Sequence, residues 1–93
     1  MQQLDTIKSL IADGRIDEAV AMCEAEASRE TDAGRLEMIY YTLGNAHRKR
    51  EDWQRALNAY QRAIDINPSG PAATARKMII EILNYYYKDQ FNQ

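Results

Sequence analysis

Cys23 and His47 are the one cysteine and the one histidine in this 93-residue sequence, and they are its candidates for thiolate or soft-metal chemistry. A nucleophilic thiol needs a neighbouring base or cation to hold it as thiolate. A zinc site needs three or four ligands, and no second Cys or His stands at ligand spacing from either residue. Cys23 instead shares a helical stripe with Ala19, Val20 and Ala27, the setting of a small buried hydrophobe. No phosphate-binding loop, paired catalytic carboxylates or Ser-His arrangement is present, so neither an enzyme nor a cofactor or metal is expected. Arg48-Lys49-Arg50 is a basic triplet, but Glu51 and Asp52 follow it directly, and a nucleic-acid surface needs a broader basic patch. No nucleic-acid partner is expected.

The elements around these residues belong to one small domain, residues 1–93. Apolar residues are 45% and charged residues 28%, an ordinary globular composition. No run approaches the ~18 apolar residues of a membrane span, so no membrane contact is expected. Met1-Gln2-Gln3-Leu4-Asp5 has no basic region leading into an apolar stretch, and a single cysteine forms no internal disulfide. A cytoplasmic location is the expectation. The net charge of −2 is unevenly spread. Residues 1–37 hold nine acids and four bases, and residues 38–93 hold five acids and eight bases. A basic back half favours an acidic partner or head-to-tail contact between copies.

The spacing of apolar residues predicts five helices and no strands. Leu4, Ile7, Leu10 and Ile11 recur at helical spacing from Gln3 to about Asp13, where Gly14 can supply the left-handed end. A second helix runs from Ile16 to Arg29, with Asp17 and Glu18 suiting the dipole of its first turn. Thr31-Asp32-Ala33-Gly34 reads as a turn. The third and fourth helices cover about Arg35–Arg50 and Asp52–Ile66. Asn67-Pro68-Ser69-Gly70 breaks the chain, and Pro71 suits the first turn of a fifth helix reaching about Phe91.

Gly14-Arg-Ile16-Asp-Glu-Ala19 and Glu51-Asp-Trp53-Gln-Arg-Ala56 are the same phrase 37 residues apart, each at a turn between helices. Between Tyr40 and Pro68 the pattern is Tyr40-x-x-Leu43-Gly44-x-x-His47, then Ala56-x-x-x-Tyr60, then Pro68. On these residues the chain resembles the tetratricopeptide repeat family, whose pattern is Trp-x2-Leu-Gly-x2-Tyr, Ala-x3-Phe and Pro within 34 residues. Leu43, Gly44, Ala56 and Pro68 match outright. Tyr40, His47 and Tyr60 stand for the Trp, Tyr and Phe. Residues 37–70 form the matched repeat, 1–36 a degenerate one with Thr6 and Ile7 where Leu and Gly would fall, and 71–93 a half repeat or capping helix. The fold implied is all-α, a right-handed superhelical stack of antiparallel helix hairpins.

The resemblance also implies a function. The first helices of such repeats line a concave groove that holds a peptide or protein segment. Met38, Tyr41, Asn45, Arg48 and Lys49 of the third helix and Arg76 of the fifth would face it. Asn45 suits a peptide backbone, and Arg48, Lys49 or Arg76 an acidic segment. Tyr41 and Ala72 stand where lysines would complete the carboxylate clamp of some members, so that clamp is not expected. The reading is a non-catalytic protein–protein interaction scaffold with a protein or peptide partner, acidic in the version the charges favour. The alternative is a homo-oligomerisation module with the groove unused. At 100° per residue the apolar residues of the fifth helix span roughly 240°, well beyond the ~100° stripe one neighbour requires. Ile80, Tyr87 and Phe91 form the surplus stripe, and a homodimer joined through them is the expectation.

Overall fold

The computed structural model describes the backbone of residues 2–91 and the side chains of residues 2–85. Five α-helices follow one another: α1 (Gln2–Ala12), α2 (Ile16–Arg29), α3 (Ala33–Lys49), α4 (Trp53–Ile66) and α5 (Pro71–Phe91). No strand occurs among the described residues. The helices pack in sequence, α1 on α2, α2 on α3, α3 on α4 and α4 on α5, with α1 also reaching α3. This neighbour-to-neighbour order makes the molecule long, 48 × 28 × 17 Å. Its radius of gyration is 13.9 Å, against about 12 Å for a compact domain of this length.

The two copies of the repeated phrase make the same turn. At the end of α1 the Arg15 N–H donates to the Leu10 carbonyl and the Gly14 N–H to the Ile11 carbonyl. At the end of α3 the Asp52 N–H donates to the His47 carbonyl and the Glu51 N–H to the Arg48 carbonyl. Both are the paired bonds of a Schellman cap, which places one residue in the left-handed region. Gly14 takes it at φ 81° and Glu51 at φ 61°. Glycine does this without strain; a glutamate does not.

The first hairpin, α1–α2, is packed with a different exchange of side-chain sizes from the second, α3–α4. In the second unit Gly44 lies under the Tyr60 ring: a Cβ on Gly44 would stand 2.9 Å from Cζ and nearer still to two other ring carbons. The residues 37 positions earlier are Ile7 and Cys23, both 0% exposed and in one core cluster with Ala19, Ile39 and Leu43. A medium and a small side chain fill the first crossing where nothing and a large ring fill the second. Interiors are close-packed, so volume and not identity is what must be kept. A second cluster, Ala56, Tyr60, Ala63, Ala72, Ala75 and Ile79, joins α4 to α5, and Tyr40 packs against both clusters.

One boundary departs from the sequence pattern. Residues 31–34 read as a turn, yet α3 begins at Ala33 and includes Gly34. The Asp32 carboxylate accepts from the Arg35 N–H at 2.9 Å and caps the helix there. The extra residues that separate the two phrases beyond the usual period therefore add to the start of α3, and only residues 30–32 lie between α2 and α3.

Candidate interaction faces

α3 shows two faces on opposite sides of its axis. Met38, Tyr41, Asn45 and Arg48 recur at i, i+3, i+7 and i+10, and so share one stripe. Tyr40, Leu43 and His47 recur on the other side. Met38 is 44% exposed and Arg48 is exposed, whereas Tyr41 and Asn45 are half-buried. The two half-buried residues are tied to the core: the Tyr60 hydroxyl donates to Asn45 Oδ1, and the Tyr41 and Tyr60 rings lie 5.9 Å apart. Burial pushes the Tyr60 hydroxyl up to about 12, so it stays a neutral donor to Asn45 at any physiological pH. Asn45 thus spends one acceptor on the fold, and its amide hydrogens make no hydrogen bond among the described residues.

The other expected groove residues lie apart from this stripe. Lys49 Nζ donates to the carbonyls of Ile11 at 2.8 Å and Ala12 at 3.4 Å. It caps the C-terminus of α1, where unpaired carbonyls and the dipole favour a cation. Arg76 and Ile80 line a separate groove of about 440 Å³ between α4 and α5, with Gln61, Ile64 and Ala73. Arg76 Nε is buried there with no hydrogen-bond partner. The side chains of Tyr87 and Phe91, expected with Ile80 in an oligomer interface, lie outside the described residues.

A larger groove, about 710 Å³, runs between α2 and α4. Its floor is the second face of α3, Tyr40, Leu43 and His47. One wall carries Arg55, Ala59 and Arg62 of α4, and the other Val20, Glu24 and Ala27 of α2. No short segment of sequence announces it, because its floor and walls come from three helices. His47 is 7% exposed, with Nδ1 buried and unpartnered. Burial, the largest influence, lowers its pKa; Asp52 acts against this, and Arg50 and Arg55 add to the lowering. It is therefore a neutral packing residue, as its place in the pattern implied. Cys23 is fully buried, and burial pushes its thiol up to about 12; it is no thiolate. Among the described residues no cluster of acidic, His and Cys groups is suited to a metal ion, and no helix is long and apolar enough to cross a membrane.

Comparison with known proteins agrees with this architecture. The family model described as the tetratricopeptide repeat matches residues 38–69. No curated protein matches the chain. Among solved structures, the solution NMR structure of the Bacteroides fragilis protein BF1650 is 49% identical, covers 100% of this chain and 92% of its own, and superposes with a TM-score of 0.88. That likeness covers the whole length of the five stacked helices, and at their centre residues 38–69 form a tetratricopeptide repeat, which suggests a protein–protein interaction scaffold.

Proposed function

We propose that the chain is a non-catalytic, cytoplasmic interaction module that receives a peptide or protein segment on the Met38–Arg48 face of α3. The observation that carries this reading is the composition of that face. An exposed thioether, a tyrosine ring, a half-free amide and an exposed guanidinium follow one another along three turns. Met and Tyr supply adaptable apolar area, Asn45 offers amide donors to a peptide backbone, and Arg48 takes a carboxylate. Arg48 is the anchor for an acidic residue of the partner, since Lys49 is engaged with the end of α1. The test is affinity capture of partners by wild type and by Met38→Glu/Arg48→Glu, followed by mass spectrometry. Asn45 is left intact because its loss would also disturb Tyr60. Partners should be lost from the variant; identical recovery by both forms argues against this face.

Self-association through α5 is the second reading. The groove between α4 and α5 presents Ile64, Ala73 and half-buried Ile80, an apolar strip that a helix of a second copy would cover. Light scattering at high concentration decides it: a dimer weakened by Ile80→Glu supports the reading, and a clean monomer ends it.

A further inference from the structure

The groove between α2 and α4 lies across α3 from the face just described, and its chemistry has a direction. Arg55 and Arg62 stand two turns apart on α4, about 10 Å along the axis, with buried Ala59 between them. Arg62 has no carboxylate partner among the described residues. Its Nη1 donates to the Tyr40 hydroxyl at 3.3 Å, and its guanidinium lies 5.5 Å from the centroid of that ring. A guanidinium carries five N–H donors in a rigid fork, so most of those on Arg62 are uncommitted. The ring beneath holds the fork in place before anything binds, which lowers the ordering cost of binding.

Arg50 and Arg55 add positive charge at the same groove, and their ion pairs with Asp17 and Asp52 are exposed ones. Pairs of that kind are worth little in water and exchange readily for a ligand carboxylate. Three arginines against the single carboxylate of Glu24 leave the lining net positive. Glu24 and Ser28 on the far wall carry oxygens able to accept hydrogen bonds. The floor between the walls is apolar at Leu43. Two guanidiniums rooted two turns apart suit two carboxylates of one segment, and the cavity is of a size that holds an organic ligand rather than one ion.

We propose that this groove binds an acidic peptide segment. Two carboxylates of the segment pair with Arg62 and Arg55, an apolar side chain between them rests on Leu43 and Ala59, and backbone amides face Glu24. The site is distinct from the Met38–Arg48 face and stands or falls without it.

The test is selection of a displayed library of short peptides on the full chain, then affinity measurement and ¹⁵N–¹H spectra of the chain with the selected peptides. The expected peptides carry Asp or Glu on both sides of an apolar residue and shift resonances of Ala27, Arg55, Ala59 and Arg62. Arg62→Glu should weaken them by more than about tenfold, the loss of one charge-assisted pair. Arg62→Lys, which keeps the charge without the fork, should fall between. Met38→Glu/Arg48→Glu should bind them as wild type does. Arg62 is exposed, so its variants should keep the helical circular dichroism of the wild type; should Arg62→Glu lose it, Arg55→Glu takes its place in the comparison. Selected peptides without acidic residues, shifts confined to the Met38–Arg48 stripe, unchanged affinity in the glutamate variant or an empty selection would each overturn the proposal.

Discussion

Replacing Glu51 by glycine is expected to stabilise the chain by about 0.5–1 kcal/mol. Glu51 holds φ at 61° because the Schellman bonds at the end of α3 require it. An L-residue in the left-handed region carries about 1–2 kcal/mol of steric cost. Glycine removes that cost but loses more backbone freedom on folding, about 0.5–1 kcal/mol. The remainder favours glycine. The Glu51 carboxylate sits between the C-terminus of α3, where it is unfavourable, and the N-terminus of α4, where it is favourable, so its dipole effects largely offset. In a domain this small the gain corresponds to roughly 2–8 °C in the thermal midpoint. Urea denaturation is the cleaner assay, with the midpoint rising at unchanged slope. Gly14 provides the reciprocal experiment. Its φ is 81° and a Cβ added there would meet nothing within 4 Å, so Gly14→Ala brings no clash and its cost is conformational alone. It should destabilise by about 1 kcal/mol. A midpoint unmoved by Glu51→Gly alongside a clear loss in Gly14→Ala would refute the claim that the two turns are equivalent.

Other substitutions test the packing, the caps and the buried histidine. Gly44→Ala forces a methyl group against the Tyr60 ring and should cost about 1–3 kcal/mol by overpacking, read from urea midpoints. Tyr60→Phe keeps the ring but leaves Asn45 Oδ1 without its donor, a loss of about 1 kcal/mol in the same assay. Lys49→Ala uncaps α1 and should cost about 0.3–1 kcal/mol, with faster amide exchange confined to the α1 end near Ile11 and Ala12. His47 has its pKa lowered by burial in the folded chain. Its contribution to stability is therefore complete above the unfolded value of about 6.5 and is lost as pH falls through the lower folded value. Urea midpoints should drop on acidification below about pH 6.5, and His47→Tyr, the residue usual at that place in the repeat, should remove that part of the slope.

What the sequence disclosed and what it hid divide along the range of the interaction. The bounds of α2 and the start of α5 at Pro71 were legible because local signals set them: a glycine turn before one, a proline at the first turn of the other. Gly34 misled because a glycine beside Asp32 resembles a turn, and only the cap from Asp32 to the Arg35 N–H shows that the helix had already begun. Ile7 looks like a defect in the repeat when read alone. Paired with Cys23 it keeps the volume that Gly44 and Tyr60 occupy in the next unit. Lys49 reads as a groove residue from its place on α3, and its bond to α1 joins residues 38 apart, which no periodicity reports. Arg62 over Tyr40 was hidden for the same reason.

The two faces of α3 follow from the way the hairpins stack. α3 packs on α1, α2 and α4, yet α4 covers only the middle of the stripe from Met38 to Arg48 and leaves both ends exposed, and α2 and α4 stand far enough apart to leave Tyr40, Leu43 and His47 at the bottom of a groove. A compact bundle would have closed one of these openings; a chain stacked neighbour by neighbour does not. The residues between the two faces, Gly44, Ala46 and Ile39, are buried and apolar. They hold the hairpin together without linking the polar groups on either side. A carboxylate that reaches Arg48 and one that reaches Arg62 therefore meet arginines of different helices, separated by the width of α3 and about 10 Å or more apart. On the two proposals made above, each face would take a partner on its own chemistry, the first through Met38, Tyr41, Asn45 and Arg48, the second through Arg62 held over Tyr40 and through Arg55, whose exposed pair with Asp52 a ligand carboxylate can replace.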